Sequence, residues 1–230
     1  ALQAGADSVY FGIGALNMRA HSAGGFTIDD LNEIAALCRE HGAKSYLTVN
    51  TVIYDGDLAA MREIVSAAKA AGVSAVIASD VAVMQCCREL GVEVHLSTQL
   101  NIANVEALRF YAQFADVVVL ARELSLAEIA AIRAHTPPEL ELEAFVHGAM
   151  CMSVSGRCLL SSYLTGRDAN RGACAQPCRM QYSMGGRMDE YPLSLRDNCL
   201  ADYLQQLADA GVACVKIAVS YTHLRAHETC

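Results

Sequence analysis

Short runs of β-branched and aromatic residues alternate along this chain with amphipathic helical segments, and this alternation is what most limits its fold. The stretch 29–50, DDLNEIAALCREHGAKSYLTVN, contains the whole unit: an acidic start, an apolar stripe, a glycine stop and a strand. Strands that are separated by helices run parallel, and their helices cover the sheet from outside. The pattern therefore predicts an α/β protein with a parallel sheet.

Seven strands and six helices are predicted. The strands are 8–12, 45–50, 75–79, 93–98, 116–121, 140–146 and 213–217, and the helices are 29–41, 57–71, 81–90, 102–114, 125–135 and 199–210. The chain starts at a helix end, so we expect one more strand upstream, which would make eight. We therefore predict a (β/α)8 TIM-barrel-like fold truncated at both ends, with a Cys-rich loop after the strand near 140–146 and with an open doubly wound sheet as the alternative.

The 230 residues, 53% of them hydrophobic, suffice for one domain with a large core, which we place at 1–217. The segment 218–230 breaks the pattern and resembles translated adapter sequence, so we expect it to be extraneous. We see neither an export leader nor an apolar run of the ~20 residues that span a bilayer, and expect a cytoplasmic protein without a membrane span. The net charge of −8 disfavours broad phosphate binding, and no DNA partner is expected.

Polar residues follow most of the predicted strands. In a barrel the carboxyl ends of the strands form the rim that carries the active site. The sequence therefore predicts a polar pocket at this rim, although each such residue taken alone is ordinary loop chemistry. The rim residues are Asn50, Asp80, Gln99, Asn101, Arg122, Glu123 and His147.

Five of the ten cysteines lie between residues 151 and 199. Four of them are spaced C-x6-C-x15-C-x3-C, and the fifth follows 21 residues later. Reduced thiols clustered in a loop rich in glycine and arginine favour metal or redox chemistry over core packing. The spacing leaves three interpretations open: an iron–sulfur cluster, a zinc site with an unusual arrangement, and redox or inert thiols. The five are Cys151, Cys158, Cys174, Cys178 and Cys199.

The segment 141–179, ELEAFVHGAMCMSVSGRCLLSSYLTGRDANRGACAQPCR, resembles the signature of peptidase family U32, the collagenase-like peptidases. AGADSVYFG (4–12) and VHLSTQLNIANVEAL (94–108) match the family as well, and the resemblance covers about 1–217. It implies a TIM-barrel-like domain. Some family members are named as peptidases, whereas others are iron–sulfur proteins that hydroxylate tRNA uridine or rRNA cytidine, or act as a pair in ubiquinone synthesis.

In the cluster-bearing members four cysteines hold a [4Fe-4S] cluster. By motif position, the resemblance implies that Cys151, Cys158, Cys174 and Cys199 are the ligands here, with Cys178 as the alternative fourth ligand. It also implies prephenate as a co-substrate, which Arg122 would bind through its carboxylates.

We expect a [4Fe-4S]-dependent RNA hydroxylase with Arg122, His147 and Glu143 as its catalytic residues. The substrate would be tRNA or rRNA. The net negative charge is unfavourable for RNA, so binding would need a local basic strip, unless these arginines are simply a solvated surface. The arginines concerned are Arg157, Arg167, Arg171, Arg179 and Arg187.

Two alternatives remain. A collagenase-like peptidase would need a nucleophile with its base, such as Cys151 with His147, or a zinc ion bound by Glu143 or His147, and neither HExxH nor GxSxG occurs. A non-catalytic iron–sulfur subunit would work with a protein partner.

Overall fold

The computed structural model describes residues 1–18, 20 and 25–218, without the side chains of 184 and 187–190. Apart from Ala218, the segment that we expected to be extraneous lies outside these residues. Within them the chain forms ten strands. They are β1 (Ser8–Gly12), β2 (Lys44–Val49), β3 (Ala75–Ala78), β4 (Val94–Leu96), β5 (Val117–Val119), β6 (Glu141–Gly148), β7 (Tyr182–Met184), β8 (Arg187–Glu190), β9 (Asn198–Cys199) and β10 (Cys214–Ile217).

Seven of these strands are parallel neighbours in the order β1-β2-β3-β4-β5-β6-β10. They make a curled half-barrel, in which β1 and β10 are the outer strands of the described sheet. The short strand β9 adds to β6 in the antiparallel direction, and β7 and β8 form a separate hairpin. The predicted α/β barrel-like architecture is confirmed, and the Cys-rich loop does follow β6.

Among the described residues, seven α-helices connect or flank the strands. They are α1 (Leu31–Glu40), α2 (Leu58–Ala71), α3 (Val81–Leu90), α4 (Val105–Ala112), α5 (Leu126–Arg133), α6 (Leu160–Thr165) and α7 (Leu204–Asp209). Local signals fix several of their ends. The Asp80 carboxylate caps α3, a Ser125–Glu128 capping box starts α5, and Gly72 ends α2 in the left-handed conformation. None of the described helices is long and apolar enough to cross a membrane.

The two faces of β6 have different surroundings, because side chains alternate along a strand. Leu142, Ala144 and Val146 belong to the apolar core that packs the sheet against the helices. Glu143 and His147 lie on the opposite, concave face. A smaller apolar cluster of Tyr46, Ala75 and Ile77, with Tyr10 packed against it, forms part of the barrel interior.

Candidate functional site

Asn50 joins the segments at the carboxyl ends of three strands. Its amide nitrogen donates to Ser97 Oγ and to Gln99 Oε1, each at 3.2 Å, and its amide oxygen accepts from the Met18 backbone N–H at 3.1 Å. The side chain is buried, and its bonds hold the β2, β4 and β1 ends together. Asn50 and Gln99 therefore shape the rim as one hydrogen-bonded unit.

Two other predicted rim residues serve the backbone. The Asp80 carboxylate accepts from Ala82 N–H at 2.9 Å and from Ile53 N–H at 3.0 Å. Asn101 has a φ of 52° and ends a short turn after β4 in the left-handed conformation that asparagine tolerates. Glu123 is exposed at the end of the β5 segment. Asp80 and Asn101 thus have local structural roles, and the described contacts reveal no role for Glu123.

Arg122 attaches the start of the Cys-rich loop to the rim. Its guanidinium donates to the Ala149 carbonyl at 3.3 Å and to the Ser155 hydroxyl, and it lies 5.3 Å from the centre of the Phe145 ring. It also borders a largely apolar cavity of about 230 Å³, formed with residues of α5, β6 and α7. Arg122 thus provides a cation at the mouth of an apolar space.

His147 lies near the end of β6, two residues beyond Phe145 on the same face. Its backbone pairs with Cys199 on β9 and with Ile217 on β10. The half-buried ring lines a small crevice together with Arg122, Met150 and others. The ring makes no side-chain hydrogen bond to another described residue.

Glu143 lies deeper and is fully engaged. Its carboxylate accepts from the Lys216 ammonium at 2.6 Å, and both side chains are buried. The ammonium also lies 4.4 Å from the centre of the Tyr10 ring. Sequence analysis missed Lys216, whose signal was a single lysine inside the apolar strand ACVKI.

Four cysteines of the loop influence one another. Burial raises the pKa of the Cys174 thiol, and the nearby Cys151 and Cys158 raise it further. Burial likewise raises the pKa of Cys178, which Arg179 opposes and Cys151 and Cys174 reinforce. Cys174 therefore lies within electrostatic range of Cys151 and Cys158, and Cys178 lies within range of Cys151 and Cys174. Cys199 differs, because it is exposed on β9 beside His147.

The loop is anchored across the sheet to the segment after β2. The Arg171 guanidinium forms a two-point ion pair with Asp57, at 2.7 and 3.2 Å, and donates to the Val52 carbonyl at 2.7 Å. This contact lowers the pKa of the Asp57 carboxyl. It also uses Arg171 in holding the loop, so little of its guanidinium remains for an external phosphate.

The predicted basic strip is only partly available. Arg179 donates to the Ser194 hydroxyl and to the Leu195 and Met150 carbonyls, so it also braces the loop. Arg157 and Arg167 are exposed. The Arg187 side chain lies outside the described part of the chain.

The donor chemistry of the loop fits a sulfur-ligated iron cluster better than a single ion. Among the described residues, no three His, Cys, Asp or Glu side chains converge closely enough to hold one metal ion. A zinc ion on Glu143 and His147 thus lacks a third donor there, and Glu143 is already paired with Lys216. A cluster of four irons takes thiolates that are spread wider than those around one ion, and the loop offers four free thiols.

The described residues also lack a hydrolytic triad. No histidine ring in them is hydrogen-bonded to a serine hydroxyl or a cysteine thiol. The Ser155 hydroxyl accepts from Arg122, and buried Ser161 accepts from the Ala175 backbone N–H at 2.9 Å. These loop serines have structural partners.

The family model for peptidase family U32 matches residues 1–229. A collagenase of Porphyromonas gingivalis is 52% identical to this chain. The alignment covers 94% of this chain and 56% of that protein. The tRNA hydroxylation protein P1 of Bacillus subtilis is 34% identical, and that alignment covers 94% of this chain and 54% of that protein. The chain thus spans about half the length of these curated relatives.

A solved structure, that of the U32 peptidase Mk0906, has the same fold. Its TM-score is 0.61 at 14% identity, and the match covers 92% of this chain and 83% of that one.

Proposed function

Because the chain belongs to peptidase family U32, we propose that it is the barrel region of a [4Fe-4S]-dependent enzyme that hydroxylates RNA. The observation that carries the proposal is the group of half-buried free thiols in the loop above the rim, in which Cys174 lies near Cys151 and Cys158, and Cys178 lies near Cys151 and Cys174. Relatives of this chain include a tRNA hydroxylation protein, which supports RNA as the substrate class. The expected targets are a tRNA uridine or an rRNA cytidine, which places the enzyme in the cytoplasm.

The proposed cluster ligands are Cys151, Cys158, Cys174 and Cys199, with Cys178 as the alternative fourth ligand. When bound, such a cluster would supply one-electron transfer. The three proposed catalytic residues have separate roles around it. Arg122 would bind a carboxylate of a small co-substrate such as prephenate at the edge of the adjoining cavity. His147 would exchange a proton in the crevice, and Glu143 would hold the Lys216 side chain in place.

Collagenase-like proteolysis is the second candidate, because the Porphyromonas gingivalis relative carries that name and is 52% identical. It is less well supported, since the described residues offer neither a paired nucleophile nor a three-donor metal site. A non-catalytic iron–sulfur subunit with a protein partner is the third candidate. It would bind the cluster but hydroxylate nothing by itself.

The test is an anaerobic absorption spectrum with iron and sulfide analysis of the purified protein. Wild type is compared with a Cys151→Ser/Cys158→Ser variant and with Cys38→Ala, which removes a buried thiol of α1 outside the loop. We expect iron, sulfide and a broad visible band in wild type and in Cys38→Ala, and their loss in the double variant. A colourless wild type after anaerobic reconstitution would refute the cluster and favour the peptidase.

Nucleoside analysis separates the enzyme from the subunit. RNA from a strain without the gene should lack one hydroxylated pyrimidine, and the wild-type gene should restore it. Restoration should fail with the double variant. If the protein binds the cluster but its deletion leaves every nucleoside unchanged, the RNA-hydroxylase proposal is wrong.

A further inference from the structure

The helix α6, inside the Cys-rich loop, exposes an unusual amount of apolar surface. Tyr163 and Leu159 are 85% and 80% exposed, more than any other large hydrophobic side chain among the described residues. The Tyr163 N–H donates to the Leu159 carbonyl at 2.9 Å, so the two side chains lie one turn apart on one face. Single exposed apolar residues are ordinary, whereas a tyrosine and a leucine together form a patch that suggests binding.

The charge around this patch is opposite to that of the whole chain. Residues 151–180 contain four arginines and one aspartate, a net charge of +3, in a chain whose net charge is −8. Arg157 and Arg167 lie on either side of α6 and are exposed. The Arg157 side chain makes no hydrogen bond or ion pair with another described residue. Arg167 donates from Nε to the Ala173 carbonyl at 3.1 Å, and its terminal nitrogens make no hydrogen bond within the described part of the chain.

We propose that α6 and its flanking arginines are a binding surface for single-stranded RNA. An unpaired base stacks on the Tyr163 ring beside Leu159, and the adjacent phosphates contact Arg157 and Arg167. This inference rests on the proposed RNA substrate and names the surface that binds it.

The chemistry of the surface favours single-stranded RNA over a duplex or a protein. Aromatic rings that stack bases, combined with cations that follow the backbone, characterise single-strand binding sites. A duplex hides the faces of its bases, so only its phosphates would interact here. An enzyme that modifies a base must also take it out of the stack. Cys158 precedes α6 by two residues, and the Ala175 N–H donates to the Ser161 hydroxyl of α6 at 2.9 Å, which brings the segment of Cys174 to this helix. The surface therefore belongs to the same part of the loop as two proposed cluster ligands.

The test is fluorescence anisotropy with a labelled uridine-rich single strand of about 12 nucleotides, a length within the usual range of such sites. The full chain is compared as wild type, Tyr163→Ala, Tyr163→Phe and Phe110→Ala. Phe110, on α4, is 57% exposed and serves as the matched exposed aromatic residue outside the loop. We expect Tyr163→Ala to weaken binding at least about fivefold, the lower end of what losing one stacked base costs. Tyr163→Phe and Phe110→Ala should bind like wild type.

Salt dependence separates stacking from phosphate binding. Arg157→Gln should reduce the slope of log affinity against log salt by about 0.7, the value for one phosphate contact on a single strand. Tyr163→Ala should lower affinity without changing the slope. A blunt duplex of the same sequence should bind more weakly than the single strand and respond little to Tyr163→Ala.

Different failures have different meanings. If wild type binds no RNA, both the proposed substrate class and this binding surface are refuted. If wild type binds the single strand and Tyr163→Ala binds it equally well, the surface is refuted while the RNA substrate stands. If Tyr163→Ala changes only the oligomeric state in analytical ultracentrifugation, α6 is a protein interface and the inference is wrong.

Discussion

The ammonium group of Lys216 lies 2.6 Å from the Glu143 carboxylate inside the half-barrel, and both side chains are buried. The pair connects β6 with β10, which is the neighbouring strand and the outer strand of the described sheet. An isolated charge in such a place would be costly, because it would have lost its hydration without gaining a partner. The two residues therefore have to be considered as one unit.

Removing one member of this pair should destabilise the fold strongly. Lys216→Met keeps the apolar stem but leaves the Glu143 carboxylate buried alone, and we expect the free energy of unfolding to fall by about 3–5 kcal/mol. The double variant Glu143→Met/Lys216→Met leaves no buried charge and should recover most of that loss. Urea unfolding followed by circular dichroism measures both.

The ion pair of Arg62 and Glu89 is the control. The guanidinium and the carboxylate are 2.7 Å apart, but both side chains are more than half exposed. Arg62→Met should therefore leave stability nearly unchanged. Equal stability of Lys216→Met and the double variant would show that the buried pair is not coupled.

Stability should decrease at alkaline pH because of buried thiols. Burial, with a contribution from the neighbouring Cys86, raises the pKa of Cys87 to about 12 from an ordinary value of 9.0. Between these values the unfolded chain has lost the proton and the folded chain has kept it, so raising the pH favours unfolding. Below the ordinary value both states are protonated and the effect is absent.

Cys87→Ala should make this decline shallower, by up to about 1.4 kcal/mol per pH unit. The measurement is urea unfolding at several pH values from about 7.5 to 10.5. Cys199→Ala, which removes an exposed thiol, should leave the slope as in wild type. A slope that Cys87→Ala does not alter would assign the alkaline loss to other groups, such as Cys214 or Tyr46.

The identity of the fourth cluster ligand can be decided with two matched variants. The motif predicts that Cys199→Ser lowers bound iron and sulfide, whereas Cys178→Ser retains them. Cys199 is exposed and held beside His147 by strand pairing, so its thiol is accessible without moving the backbone. Cys178 lies within electrostatic range of Cys151 and Cys174, which makes it the real competitor. Iron loss in Cys178→Ser alone would transfer the assignment to Cys178.

The order and type of the strands could be predicted because local periodicity determines them. β1 has the predicted bounds, and α3 does too. Predicted strands such as 93–98 and 116–121 are longer than β4 and β5. The residues that follow these shorter strands are not part of the sheet but belong to the rim. Ser97 and Gln99, for example, accept hydrogen bonds from Asn50.

The missed features depend on distant contacts or on short segments. The helix α6 has only six residues, LSSYLT, and no apolar stripe that would predict it. Lys216 resembles a surface residue until its partner Glu143, 73 residues away in sequence, is brought beside it. The predicted role of Arg171 in a basic strip for RNA could not anticipate its pairing with Asp57, which lies 114 residues earlier. Such pairings are set by tertiary structure and leave no local pattern.

The last prediction concerns Gly172, where the Cys-rich loop packs against the backbone of the segment after β1. Its φ is +80°, and a Cβ atom there would lie 2.3 Å from the Asn17 carbonyl oxygen. A side chain would thus add a backbone clash to the cost of the left-handed conformation. Since Cys174 is two residues away, Gly172→Ala should displace this thiol and lower the iron and sulfide bound after anaerobic reconstitution.

Gly166→Ala is the matched control, because Gly166 has a φ of +69° but open space around its Cβ position. It should cost about 1–2 kcal/mol of stability and keep the cluster. If both variants bind iron like wild type, the close approach of Gly172 to Asn17 does not position the loop.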